Sequence, residues 1–158
     1  MSNFTKTPDE KQNQELAKLV DINSEAVDFY NAAQDKVESL KLKETFKDLE
    51  LIHGNTVRRL KTVMSQKAQS EQEYEPLITF KGTTNRMFGT LKASISQNPD
   101  AELVKHLEEA EDQCLHSVED ALKRKEISDE VRHLLVSELE ALRKSHEHMR
   151  FMKQTLAA

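Results

Sequence analysis

The sequence predicts an all-α fold, a four-helix bundle, on three observations. Four long segments repeat apolar residues at alternating spacings of three and four, the mark of a helix that buries one face. Glycine and proline are scarce, with three of each in 158 residues, and β-branched residues rarely cluster, so helix is favoured over strand. Strong helix-start signals stand ahead of the apolar stripes. A chain of this length can bury one continuous core, and we expect a single domain over residues 8–158 behind a disordered segment 1–7.

Thr7-Pro8-Asp9-Glu10 has the form of a capping box, with proline at the first helical position, so helix 1 is expected to begin at Pro8. Its inward stripe reads Leu16, Leu19, Asn23, Ala26, Val27, Tyr30, Ala33, Val37 and Leu40. A very short connection around Lys41 leads to helix 2, with Leu42, Phe46, Leu49, His53, Thr56, Leu60 and Val63 inward. Helices joined so closely must be antiparallel neighbours. Between about Ser65 and Asn98 the period is lost, and the segment holds Pro76, Gly82 and Gly89. It is long enough to cross the bundle. A short extra helix over Thr84–Gln97 would place Met87, Phe88, Leu91 and Ile95 over one end of the core.

Asn98-Pro99-Asp100 starts helix 3, which buries Val104, Leu107, Glu111, Cys114, Val118 and Ala121. Ser128-Asp129-Glu130 starts helix 4, with Val131, Leu135, either Leu139 or Glu138, Leu142, His146, Met149 and Met152 inward. Two helical hairpins joined by one long crossover is the connectivity of the ferritin-like bundle, as opposed to the plain up-down-up-down form.

Composition excludes several function classes. The net charge of −5 is spread along mixed-charge helices, with no basic stripe for a phosphate backbone, so nucleic acid is not an expected partner. No apolar run approaches the ~20 residues of a membrane span, and the N-terminus has no secretory pattern, which points to the cytoplasm of a bacterium. The single cysteine, Cys114, lies on an apolar stripe and reads as a small core residue. No Gly-rich phosphate loop, nucleophile elbow or Cys-x-x-Cys is present to support a kinase, hydrolase or thiol oxidoreductase.

Each stripe carries a polar residue near its middle: Asn23, His53, Glu111 and His146. A buried polar group without partners costs a few kcal/mol, so these must bond one another or hold a ligand. Ferritin-like carboxylate sites take a Glu from each of two helices and a Glu-x-x-His pair from each of the others. By depth, Glu111 faces Arg143 to His146 with arginine where the carboxylate belongs, while His53 and Thr56 fill the helix 2 pair and Asn23 replaces the helix 1 Glu. One literal match, Glu50-Leu51-Ile52-His53, sits a turn away from the expected level. Two readings stay open. One is a structural network of Asn23, His53, Thr56, Glu111, Arg143 and His146, with a buried Arg143–Glu111 ion pair. The other is a metal site for iron or manganese built from Glu50, His53, Glu111 and His146.

The run from Leu19 to Ala33 resembles the first helix of a bacterial ferritin-like four-helix family catalogued as a domain of unknown function. Leu40 to Leu60, Glu108 to Ala121 and Val131 to Arg150 are similar to its other helices, with Phe46, Glu111 and Ser145-His146 at matching places. The resemblance implies a ferritin-like fold and brings no established activity. The expected function is a non-enzymatic, stress-related or partner-binding bundle. The alternative is a metal-binding oxidoreductase or iron or manganese storage protein with a reduced ligand set. Leu77, Ile78, Phe80, Met87 and Phe88 add apolar surface beyond four filled stripes, so a homodimer or larger assembly is expected.

Overall fold

In the computed structural model, which describes residues 7–68, 88, 91, 92 and 100–157, four helices and no strands are found among the described residues. They are α1 (Pro8–Ala33), α2 (Leu40–Ala68), α3 (Asp100–Leu122) and α4 (Asp129–Ala157). The first start is made as the sequence predicts. Thr7 Oγ1 accepts from the Glu10 amide at 3.2 Å while Glu10 Oε2 accepts from the Thr7 amide at 3.3 Å, closing the capping box. At α4, Ser128 Oγ accepts from the Val131 amide at 3.3 Å. Its own amide is held by the buried side chain of Gln12 in α1, at 2.6 Å. Asn98 and Pro99 lie outside the described residues, and α3 is described from Asp100.

The first turn departs from expectation. α1 ends at Ala33, where the Lys36 and Val37 amides both turn back onto the Ala33 carbonyl, and α2 already begins at Leu40. Leu40, expected inward on helix 1, is 76% exposed as the first residue of α2. Its fit to the stripe was a coincidence of period, because no glycine or proline marks the break. Ser39 marks it instead: its Oγ accepts from the Leu42 amide at 3.2 Å.

α1 packs on α2 and α3, and α4 packs on the same two helices. Across the α1/α2 seam, Phe29 meets Phe46 and Asn23 meets His53, so the two are antiparallel. Glu119–Arg143 and Glu108–Lys153 give the same result for α3 and α4. Glu15–Arg124 and Asn23–Cys114 show that α3 also runs opposite to α1. α2 and α3 therefore point the same way. At their shared starting end Asp100 Oδ2 accepts from the Glu38 and Ser39 amides at 3.2 and 3.1 Å, so the first residue of α3 braces the turn that begins α2.

The stripes of α2 and α3 are buried as predicted, and that of α1 is buried except for half-buried Val27 and exposed Leu40. Phe29, off the predicted stripe, is buried too, with Phe88 packed 6.2 Å from it between ring centroids. α2 continues to Ala68, past the expected loss of period at Ser65, and the rest of the predicted crossover and its short helix lies outside the described residues apart from Phe88, Leu91 and Lys92, which are helical. Phe88 and Leu91 belong to the same core as the four helices. Among the described residues no helix is long and apolar enough to cross a membrane.

Candidate functional site

One buried polar side chain from each helix reaches the middle of the bundle: Asn23 from α1, His53 from α2, Glu111 from α3 and Glu138 from α4. Tyr30 and Cys114 border them, and Phe29, Phe46 and Phe88 form an aromatic wall on one side. The Tyr30 ring stacks on the His53 imidazole with centroids 5.9 Å apart and planes 19° from parallel.

The hydrogen bonds fix the order of donors. Asn23 Nδ2 donates to the Leu19 carbonyl at 2.7 Å, one turn back on its own helix, which turns Oδ1 toward His53. His53 Nδ1 lies 2.6 Å from that oxygen and so carries a hydrogen. On the other side of the ring, Nε2 sits 2.7 and 2.9 Å from the two oxygens of Glu111. An ionised carboxylate accepts only, so Nε2 carries a hydrogen as well, and the pair is a buried imidazolium–carboxylate bond. Burial would lower the His53 pKa, but Glu111, and after it Glu138, more than offset this and raise it above the ordinary histidine value.

Glu138 is held more loosely. Its Oε1 accepts from Asn23 Nδ2 at 3.5 Å, and its Oε2 has no hydrogen-bond partner among the described residues. Burial pushes its pKa up to about 7, against the opposing effects of His53 and the Asn23 bond. The Tyr30 hydroxyl is also buried without a hydrogen bond of acceptable geometry. Burial and the nearby Glu111 carboxylate raise its pKa well above the usual phenol value. The Cys114 thiol is raised likewise by burial, Glu111 and Glu138, which keeps it protonated and a poor nucleophile.

The structure brings His53 and Glu111 of the predicted metal set together and leaves the others elsewhere. Glu50 faces the α1 end, where Gln34 Nε2 donates to its Oε2 at 2.8 Å. His146 is 15% exposed on the outer α3/α4 seam, 3.5 Å from Asp112. The expected Arg143–Glu111 pair is not formed. Arg143 is 57% exposed and pairs with Glu119 at 3.5 Å, because the centre is filled by Glu138, the inward alternative on the same helix. Thr56 stays out of the network too, its hydroxyl bonding the Ile52 carbonyl at 3.1 Å.

Set against the ferritin-like ligand pattern, α2 offers His53 and Thr56, α4 offers Glu138 and Ala141, and α1 offers Asn23. Both His53 nitrogens are engaged by protein groups, leaving no lone pair for a cation. Among the described residues no group of three or more His, Cys, Asp and Glu side chains is arranged to hold a metal ion. The donors present do not fit a two-metal centre. Glu138 was the residue hardest to find from sequence, since Glu138 and Leu139 are neighbours on one stripe and both are buried.

No curated protein and no solved structure matches the chain significantly. A family model described as "Domain of unknown function (DUF2383)" matches residues 11–124. That region holds Asn23, Tyr30, His53, Glu111 and Cys114, while Glu138 and α4 lie beyond it. With most of its length matched, and with the central network's α1, α2 and α3 members inside the match, the chain belongs to the DUF2383 family.

Proposed function

We propose that this chain is a ferritin-like bundle that works by binding partners, itself included, in the bacterial cytoplasm and not by catalysis, its central ligand position converted to a protein-only network. The observation that carries the reading is the double engagement of His53 by Asn23 and Glu111. Asn23, Tyr30, His53 and Cys114 are fully buried, which does not suit groups that must meet a substrate. The ferritin-like connectivity is supported by the shared direction of α2 and α3 and by Asp100 seated on the turn before α2. Leu40, Leu51, Val136 and Phe151 are large apolar side chains left exposed, surface available to a partner or a second copy.

A second reading, an iron- or manganese-binding bundle with a reduced ligand set, draws on two buried oxygens, Tyr30 Oη and Glu138 Oε2, that have no hydrogen-bond partner among the described residues. Protein purified without a histidine tag decides between them. We expect no stoichiometric iron or manganese, and a melting temperature unmoved by added Fe²⁺ or Mn²⁺. A gain of several degrees with metal, lost in Glu111→Ala, would overturn the network reading.

A further inference from the structure

Glu138 is the member of the centre whose bonding does not suit a charge. It is 3% exposed. Its one hydrogen bond is long, at 3.5 Å, and comes from an amide that already donates to Leu19 at 2.7 Å. Its second oxygen meets no donor among the described residues. A buried carboxylate stays ionised when two or three good donors or a bonded cation hold it, and none of those is in place.

The groups facing it are few. From α1 it meets Asn23, with Tyr30 further along turned toward Glu111. From α2 it feels His53 and Arg59, and from α3 Glu111 and Cys114. The His53 cation is already bonded to both oxygens of Glu111, and Arg59 stands exposed. Glu111, also an anion, works against a second negative charge in the same core.

We propose that Glu138 is a neutral carboxylic acid in the closed bundle, and that its ionisation is a switch that loosens α4 at the centre. As an acid, Glu138 leaves one O–H without a partner among the described residues, which costs far less than an unpaired buried charge. As an anion it must draw in water or shift α4 to find donors, because the long bond from Asn23 is too weak by itself to hold a buried charge. The value near 7 to which burial raises it puts the change close to neutrality. The inference rests on the protein-only reading of the centre.

Infrared spectroscopy of the full chain, kept in chelator and titrated from about pH 5 to about pH 9, tests it. We expect the carbonyl band of a protonated carboxyl to persist at pH values where surface glutamates are ionised, and to vanish near neutrality. As pH rises from about 5 to about 7, exchange of α4 amides around Glu138 should quicken beyond the intrinsic base-catalysed increase, and the unfolding constant should rise on the order of a hundred-fold. Glu138→Gln should lack the band and keep only the later loss of protection that follows His53. A wild-type band lost with the ordinary glutamates, or one that survives in Glu138→Gln, would overturn the switch. If Glu138→Gln does not fold, the wild-type titration decides alone. Adding Mn²⁺ separates the two readings. A metal-dependent rise in melting temperature that disappears in Glu111→Ala would sink the network, while the metal-free titration would still judge the switch.

Discussion

Replacing Glu111 with alanine strands the His53 imidazolium, whose Nε2 has no other acceptor among the described residues. Removing one partner of a buried ion pair costs about 3–5 kcal/mol, whereas replacing both by apolar groups of similar size is near neutral or stabilising. Urea unfolding of Glu111→Ala, His53→Leu and Glu111→Leu with His53→Leu should therefore show strong non-additivity, the double variant being more stable than Glu111→Ala. Tyr30→Phe should behave differently. Its hydroxyl makes no good hydrogen bond, so deletion should leave stability unchanged or raise it by up to about 1 kcal/mol. At this scale the sequence was informative about which helices carry a polar interruption and less so about which residue reaches the centre. Glu138 and Leu139 both fit the α4 stripe, and a register error of a few residues in matching depths put Arg143 beside Glu111. Spacing along one helix resolves a face, but the level at which faces meet depends on turn lengths that spacing does not contain.

Helix starts were legible where side-chain chemistry makes them. Thr7, Pro8 and Glu10 form a box recognisable from four residues, and Ser128 caps α4 as its sequence context implies. The end of α1 was not legible, because Ser39 alone marks the next start and the cap is completed from far away by Asp100. Asp100→Ala removes two charge-assisted bonds to the Glu38 and Ser39 amides on a partly exposed turn. We expect a loss of about 1–2 kcal/mol by urea titration, with faster hydrogen exchange at the first amides of α2. Phe88 tests the segment between α2 and α3. Its ring lies 6.0 Å from Tyr30 and 6.2 Å from both Phe29 and His53, so the segment supplies part of the wall around the centre instead of an exposed patch at that residue. Phe88→Ala should cost about 3–5 kcal/mol in thermal or urea unfolding. A loss under about 1 kcal/mol would show that the ring is not a working part of the core.

For the whole molecule, the all-helical bundle followed from period alone, since four stripes of similar length have few other ways to be buried. The relative directions of the helices did not, and they come from long-range pairs such as Glu15–Arg124 and Asp100–Ser39. The same long-range centre governs how stability depends on pH. Glu138 is raised from 4.5 to about 7 on folding, so between those values the folded state binds a proton that the unfolded chain has released. Its stabilising contribution is complete below pH 4.5 and is lost as pH rises through about 7. His53, raised from 6.5, acts in the same direction, its contribution being intact below that value and lost as pH climbs past its folded pKa. The two effects add on the alkaline side of neutrality. The Glu138 part alone amounts to about 3 kcal/mol. Urea unfolding across this range should give stability that falls steadily from mildly acidic to mildly alkaline pH. In Glu138→Gln the fall should shrink to the later, His53-dependent portion, and the variant should be more stable than wild type at about pH 8 because it keeps an acceptor for Asn23 without a buried charge. Wild-type stability that rises with pH through neutrality would mean that Glu138 is ionised in the folded state and held by donors the described residues do not supply.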